Sequence, residues 1–393
     1  MPQSRQTRIL HVLEDLDTGG AEQQLAAFLS RSDRASFHHE ICVLTEAGRL
    51  ATLLQTLGIR IHVLGVERNW DLIRAVTRLR GLVRDVAPDL IHAVLYRPGV
   101  VGRTVGRLCG VPVVTSLVNT AYEPEWRMDN PHLSWWKASL VQGVDTVTAR
   151  WGAMFVALTD TVKRSAVRRL AIPEKKIRVI PRGFAFEDGA APSAASVAAL
   201  RAELDCANAY PVVLNVARLV PQKGQHHLIK AMAAVRQVFP HARLLVAGEG
   251  WLRGEIEALI RAQGLESSVR LLGDRADVPA LLAFADIFVF PSLFEGFGVS
   301  LMEAMGSGKP CIASDIDVLR EVTDNGTKAL LVPSQSADAL TEAIVRLAKD
   351  RALADRLGAE AMAWTRRQYD VRRCVKALEG LYGTLIPQQA RVH

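Results

Sequence analysis

Two glutamates in an apolar frame give the strongest chemical signal in this chain. Glu295 and Glu303, separated by seven residues, lie in PSLFEGFGVSLMEAM, residues 291–305. Gly296 and Gly298 free the backbone ahead of a helix that the pattern starts near Val299. The amides of Phe297, Gly298 and Val299 can then cap a phosphate, because leading helix amides lack intrahelical acceptors and carry positive potential. Glu303, about one turn into that helix, can accept both hydroxyls of a ribose. Glu295, in the loop ahead of it, can accept sugar hydroxyls. The plain alternative is a capped helix with two solvated carboxylates, which the flanking Phe, Leu and Met residues disfavour.

Three further groups have the right residue types. RLVPQKG, residues 218–224, sets Arg218 and Lys223 five residues apart after an apolar strand pattern. Ligands of open α/β sheets bind at that carboxyl edge, where Arg forks two phosphate oxygens and Lys supplies a compact charge. Alone, the pair reads as solvated; after the first strand of a new α/β run it reads as an anion site. LDTGGAE, residues 16–22, places Gly19 and Gly20 between a strand and a helix, which suits either a phosphate or a tight turn. It is not GxGxxG, and no acidic residue follows the next strand at ribose spacing, which argues against a dinucleotide site. His92, in IHAV, is either a satisfied structural histidine or a ligand contact at a strand end. Asp315-Ile316-Asp317 has the form of a metal-binding DxD, although solvated carboxylates are the expected reading.

The elements that must carry these residues alternate between short β-branched runs and amphipathic stretches. The first set of strands is expected at Arg8–Leu13, Glu40–Leu44, Arg60–Leu64, Leu90–His92, Pro112–Ser116, Met154–Leu158 and Ile177–Ile180. Helical periods lie between them, such as Asp71–Val86 with Leu72, Ile73, Val76, Leu79, Leu82 and Val83 on one side. A break rich in Gly, Ala, Ser and Pro at 183–197 reads as an interdomain linker. The alternation then restarts with Val212–Val216, Ala242–Ala247, Val269–Leu272, Ile287–Phe290, Pro310–Ala313 and Ala329–Val332. Asp350–Leu385 reads as helices alone. The class is α/β, with two Rossmann-like domains at 1–186 and 187–370 and a C-terminal helix at 371–393 that can pack back on the first domain.

Composition narrows the function classes. Of 393 residues, 49% are apolar and 23% charged, enough to bury a core and too ordered for a disordered chain. Five cysteines without a CxxC pair exclude a disulfide framework or zinc module and fit a reducing compartment. No apolar run approaches the roughly 20 residues of a membrane span. The N-terminus turns acidic after a few apolar residues, unlike a signal peptide, so a cytoplasmic location is expected. Residues 1–186 hold 25 Lys and Arg against 17 Asp and Glu, a balance of +8, whereas residues 187–393 balance at −1. A basic first half meets an anionic partner or membrane surface, or is an ordinary solvated face. Trp126, Trp135, Trp136 and Trp151 in one stretch face a lipid interface, a core patch or a subunit contact. Arg74 and Arg78 of the Asp71–Val86 stretch extend the basic patch in the membrane reading. No aromatic-basic strand pattern supports nucleic acid as a partner.

Taken together, GGAE, RLVPQKG, GEG and EGFGVSLMEAM resemble the family-4 retaining glycosyltransferases of the GT-B fold, densely from Pro211 to Val332 and more loosely in the first half. The resemblance implies two Rossmann-like domains facing a central cleft, with the acceptor on the first and a nucleotide sugar on the second. Arg218 and Lys223 would hold the donor diphosphate, Glu303 the ribose and Glu295 the transferred sugar. Gly248-Glu249-Gly250 matches a donor-side loop, and the backbone of Gly273-Asp274-Arg275 falls where the base is read. Gly19 and Gly20 would line the acceptor side. The implied activity is retaining transfer of a hexose from a UDP- or GDP-linked donor, without a metal or other cofactor. The acceptor would be a glycan or lipid-linked molecule, with the enzyme cytoplasmic or peripheral on the inner membrane face. Two departures stand out. Many members carry a histidine where this chain has Val118 and Asn119, so Asn119 becomes the candidate hydrogen-bond donor to the sugar. Where the family often has AsnGlyIleAsp, this chain has Arg182, Gly183, Phe184 and Ala185. The competing readings are a sugar-nucleotide epimerase of the same fold and a non-catalytic nucleotide-binding module.

Overall fold

The computed structural model describes residues 5–17, 20–66, 71–129, 134–186 and 192–386. The chain divides into two compact units. The first comprises Met1–Glu123, His132–Phe184 and Val371–His393; the second comprises Pro124–Pro131 and Ala185–Asp370.

In the first unit the order is β1 (Thr7–Leu13), α1 (Gly20–Leu29), β2 (Phe37–Val43), α2 (Ala51–Thr56), β3 (Arg60–Val63), α3 (Leu72–Val86) and β4 (Leu90–Val94). It continues with α4 (Tyr96–Cys109), β5 (Val113–Leu117), α5 (Trp135–Ala149), β6 (Met154–Ala157), α6 (Asp160–Leu170) and β7 (Ile177–Val179). The seven strands pair in parallel in the order β3-β2-β1-β4-β5-β6-β7. All five residues of β4 are buried, as expected of a strand covered on both faces. One layer of the core joins Leu10, Val12, Ile91, Ala93 and Val113 of the sheet to Ala75, Leu79 and Val83 of α3. α4 packs so closely that a Cβ on Gly106 would lie 2.2 Å from a methyl carbon of Val113.

The second unit runs α7 (Ala194–Glu203), β8 (Val212–Val216), α8 (Gln225–Val238), β9 (Arg243–Ala247), α9 (Arg253–Ala262), β10 (Val269–Gly273) and α10 (Val278–Phe284). It continues with β11 (Ile287–Phe290), α11 (Val299–Gly306), β12 (Cys311–Ser314), α12 (Asp317–Val322), β13 (Leu330–Val332), α13 (Ala337–Lys349) and α14 (Arg351–Gln368). Its parallel sheet has the order β10-β9-β8-β11-β12-β13. The expected strands are all present, with ends that move by one or two residues except at β2, which starts three residues early at Phe37.

Three expectations change. The break at 183–197 ends early, because the Ser193 hydroxyl accepts the Ser196 amide and starts α7 at Ala194; residues 187–191 lie outside the described set. On α3 the buried row is Ala75, Leu79 and Val83, while Ile73 is 83% exposed. Arg78 of the same helix is tied down, donating to the carbonyl of Gly65 at 3.1 Å and to that of Leu64.

The final helix, α15 (Val371–Leu385), belongs to the first unit. Two polar links hold it there. Tyr382, fully buried, bonds through its hydroxyl to His92 Nδ1 at 2.6 Å. Glu379 accepts from the Ser32 hydroxyl at 2.7 Å and the Asp33 amide at 2.8 Å. Among the described residues, no helix is long and apolar enough to cross a membrane.

Candidate active site

The residues singled out in the second unit converge at the carboxyl ends of β8 and β11. Side chains that carry no charge lock the two loops there. Asn215, buried in β8, donates through Nδ2 to the Val289 carbonyl at 2.9 Å. Ser300, in the first turn of α11, donates to the Val216 carbonyl at 2.7 Å. Gln222 donates to the Phe294 carbonyl at 2.7 Å, while its own carbonyl accepts the Leu293 amide at 2.7 Å. These ties bring Lys223 and Glu295, 72 residues apart, into a direct ion pair. Lys223 Nζ also sits 5.3 Å from the centre of the Phe290 ring, in cation–π range. Both partners are largely buried, so removing one leaves a desolvated charge behind. Arg218, ahead of them in the same loop, is exposed.

Gly298 begins α11 in the left-handed region at φ 86°. There a side chain would be strained and a Cβ would lie 3.3 Å from Leu319 and Phe290. Phe297 is buried edge-on against Tyr369, with ring centres 5.3 Å apart, and anchors the loop. From this anchored start the amides of Val299 and Ser300 lead the helix, where backbone donors and positive potential favour an anion. Glu303 follows on α11. Burial pushes its carboxyl up to about 7, and among the described residues no cation offsets that shift.

Gly248 closes a further side. At φ 134°, a Cβ there would fall 2.1 Å from the Ala217 carbonyl oxygen, so only glycine lets the turn press on the Arg218 loop. Its amide donates to the Gly273 carbonyl at 2.8 Å, and the Leu219 amide donates to the Glu249 carbonyl at 2.8 Å. The Arg275 side chain is committed elsewhere. Its guanidinium forks onto Asp277, with bonds of 2.7 and 2.5 Å, leaving the backbone of 273–275 as the part that can face a ligand. Asp315 is likewise forked by Arg320, and its carboxyl is held below the usual range by that bond. Among the described residues, no group of three or more histidine, cysteine or carboxylate side chains is placed to hold a metal.

The candidates in the first unit stand differently. Gly19 lies outside the described residues; Gly20 opens α1. Asn119 is half-buried in the loop after β5. His92 sits mid-strand in β4 and both ring nitrogens are engaged, with Tyr382 at 2.6 Å and Ser116 Oγ at 2.8 Å. Burial lowers its pKa to about 4, so the ring is neutral near pH 7. Beside it lies a cavity of about 110 Å³, lined by Phe28, Val94, Val118, Leu158 and, from α15, Val375 and Leu378. Asn215, Gln222 and Ser300 were not foreseen, since each acts on a carbonyl remote in sequence. Glu22 was also missed; it is buried, and desolvation raises its carboxyl.

Two family descriptions match this geometry domain by domain. "Glycosyl transferases group 1" matches residues 197–364, which hold every candidate of the second unit. "Glycosyl transferase 4-like domain" matches residues 19–183.

The chain belongs to the family-4-type glycosyltransferases.

The transferase has the GT-B fold of two parallel α/β domains and draws on a nucleotide sugar. It is 27% identical over 315 residues to the Escherichia coli UDP-Gal:alpha-D-GlcNAc-diphosphoundecaprenol alpha-1,3-galactosyltransferase, covering 78% of this chain and 79% of that one. It is 27% identical over 373 residues to the Mycobacterium leprae phosphatidyl-myo-inositol mannosyltransferase, covering 85% and 95%. The crystal structure of Anabaena HepE in complex with UDP superposes with a TM-score of 0.81 at 25% identity, covering 96% of this transferase and all of that chain.

Proposed function

We propose that the transferase moves a hexose from a UDP-linked donor, with retention of configuration, to an acceptor carried on a lipid at the inner, anionic membrane surface. The observation that carries the donor half is Glu303. A carboxyl raised to about 7 by burial, with no cation among the described residues to offset the shift, is completed by the two hydroxyls of a ribose. The complex of HepE with UDP supports uridine as the base. The names of the Escherichia coli and Mycobacterium leprae relatives support a lipid-carried acceptor.

The roles follow from charge. Arg218, Lys223 and the leading amides of α11 oppose the charge that grows on the diphosphate as it leaves. Glu295 accepts hydroxyls of the transferred sugar and holds Lys223 until the diphosphate binds. The bond from the anomeric carbon to the diphosphate breaks. The acceptor oxygen bonds to that carbon on the same face, and its proton passes to the departing diphosphate. No protein carboxylate needs to become covalently attached.

Incubation with UDP-hexoses and a polyprenyl-diphosphate-linked sugar tests this reading. UDP release that depends on the acceptor, with an axial donor linkage giving an axial product linkage by proton coupling, is expected. Inverted product, or interconversion of UDP-sugars without acceptor, contradicts it; the latter is the epimerase outcome.

A further inference from the structure

The exposed apolar side chains of this chain are not scattered. Among the described residues twelve large apolar side chains are exposed, and six of them fall between Trp135 and Val167. Trp136, Leu140 and Val147 recur on α5 at steps of four and seven residues, with Gly143 between them, which is one row of a helix. Trp135 is 70% and Leu140 56% exposed. The opposite row of α5, Val141, Asp145, Thr148 and Ala149, is buried. There Asp145 is bound by Arg103 and by the Tyr122 hydroxyl at 2.9 Å, so its charge is spent inward. Trp151 follows the helix, also exposed. The helix is thus apolar on the face that nothing in its own unit covers.

Cations ring this face. Residues 135–179 hold nine Lys and Arg against three Asp and Glu. α6 is joined to α5 by Gln142 donating to the Arg169 carbonyl at 2.7 Å, and it presents Arg164 and Val167 outward, whereas Arg168 and Arg169 are paired with Glu123. Lys176 donates to the Gly152 carbonyl at 2.9 Å, next to Trp151, with Lys175 exposed beside it. Lys137 lies 5.4 Å from the Trp136 ring centre. Tryptophans and leucine flanked by Lys and Arg are the composition of a helix that lies in the plane of a bilayer interface. Anionic headgroups complement the excess of cations, and the Trp rings suit the boundary between headgroups and acyl chains.

We propose that the outer face of α5, with the cations of α6 and of residues 175–178 around it, docks flat onto an anionic lipid bilayer. This rests on the reading of a lipid-carried acceptor and names the surface that meets the lipid. α3 is not that surface, since among its described residues Ile73 alone is a large exposed apolar side chain.

Sedimentation of the full chain with phosphatidylcholine vesicles, with and without phosphatidylglycerol, tests it. Binding is expected only with phosphatidylglycerol and should weaken as salt rises. Each of Arg164→Gln and Lys175→Gln should weaken it about fivefold. Trp136→Glu with Leu140→Glu should abolish it, while UDP binding stays as in the parent. Equal binding to both vesicles, no binding to either, or loss of a self-associated dimer in the double variant would overturn the proposal. Glycosylation of a lipid acceptor without vesicle binding removes the docking face alone. Vesicle binding without such glycosylation removes the lipid-acceptor reading alone.

Discussion

The two sheets use their polar groups in opposite ways. In the second unit, neutral side chains do the fastening: Asn215 ties β8 to β11, Ser300 ties α11 to β8 and Gln222 ties loop to loop, each through a carbonyl. That leaves Arg218 exposed and, among the described residues, no cation that offsets the raised Glu303 carboxyl. In the first unit, the conspicuous polar group is itself the fastener. His92 spends one nitrogen on Tyr382 and the other on Ser116, and the cavity beside it is walled mostly by carbon. On the proposed reading, the donor is met by fixed charge and the acceptor by shape. The difference also separates two kinds of conspicuous residue: one bound by its own fold, the other left for a ligand.

The comparison breaks most visibly at Lys223. Lys223→Ala removes a cation opposite the leaving diphosphate and strands Glu295, so kcat should fall about 100-fold or more in a steady-state transfer assay. A fall of only a few-fold would return the ion pair to a structural role.

Glu303 gives the next effect, and its sign is set by pH. The folded carboxyl titrates near 7 instead of 4.5, so burial costs nothing below pH 4.5 and the full penalty above 7. Glu303→Gln should therefore stabilise the ligand-free protein by about 2–3 kcal/mol at pH 8 and very little at pH 4.5, read by denaturant unfolding. Parent affinity for UDP should drop more steeply as pH falls through 7 than that of the glutamine variant, which keeps only the titration of the UDP phosphate itself.

Tyr382→Phe tests the other edge. It leaves a buried nitrogen of His92 without its partner and should cost about 1–3 kcal/mol of stability, with UDP affinity unchanged. Altered UDP affinity would mean that the first unit shapes the donor site. The smallest effect expected is from chelation: excess EDTA should leave transfer unchanged if, as proposed, Arg218, Lys223 and the α11 amides oppose the diphosphate charge. Loss restored by magnesium would bring back Asp315 and Asp317.

Much of this architecture was legible because parallel strands covered on both faces read as continuous apolar runs, and β4, β11 and β12 are buried throughout. The glutamate pair was legible because its spacing is local to one loop and helix. What could not be read was pairing at a distance. Nothing near Lys223 announces Glu295, and nothing near His92 announces Tyr382, 290 residues on. The start of α7 was hidden because an alanine–serine run looks like a linker until Ser193 is seen to cap it. The Ile73 error came from counting apolar residues on α3 without knowing which row the sheet would cover.

The central claim is that Glu303 and Glu295 divide the donor between them, one holding the nucleotide and the other the sugar. Calorimetric titration of UDP into the parent, Glu303→Gln and Glu295→Gln proteins at pH 8 tests it most directly. A hydrogen bond to a charged group contributes about 1.5–3 kcal/mol, so Glu303→Gln should bind UDP about 10-fold more weakly or worse, while Glu295→Gln, which frees Lys223 for the diphosphate, binds it at least as tightly as the parent and fails in turnover. Equal loss of UDP affinity in both variants, or none in Glu303→Gln, would contradict the account.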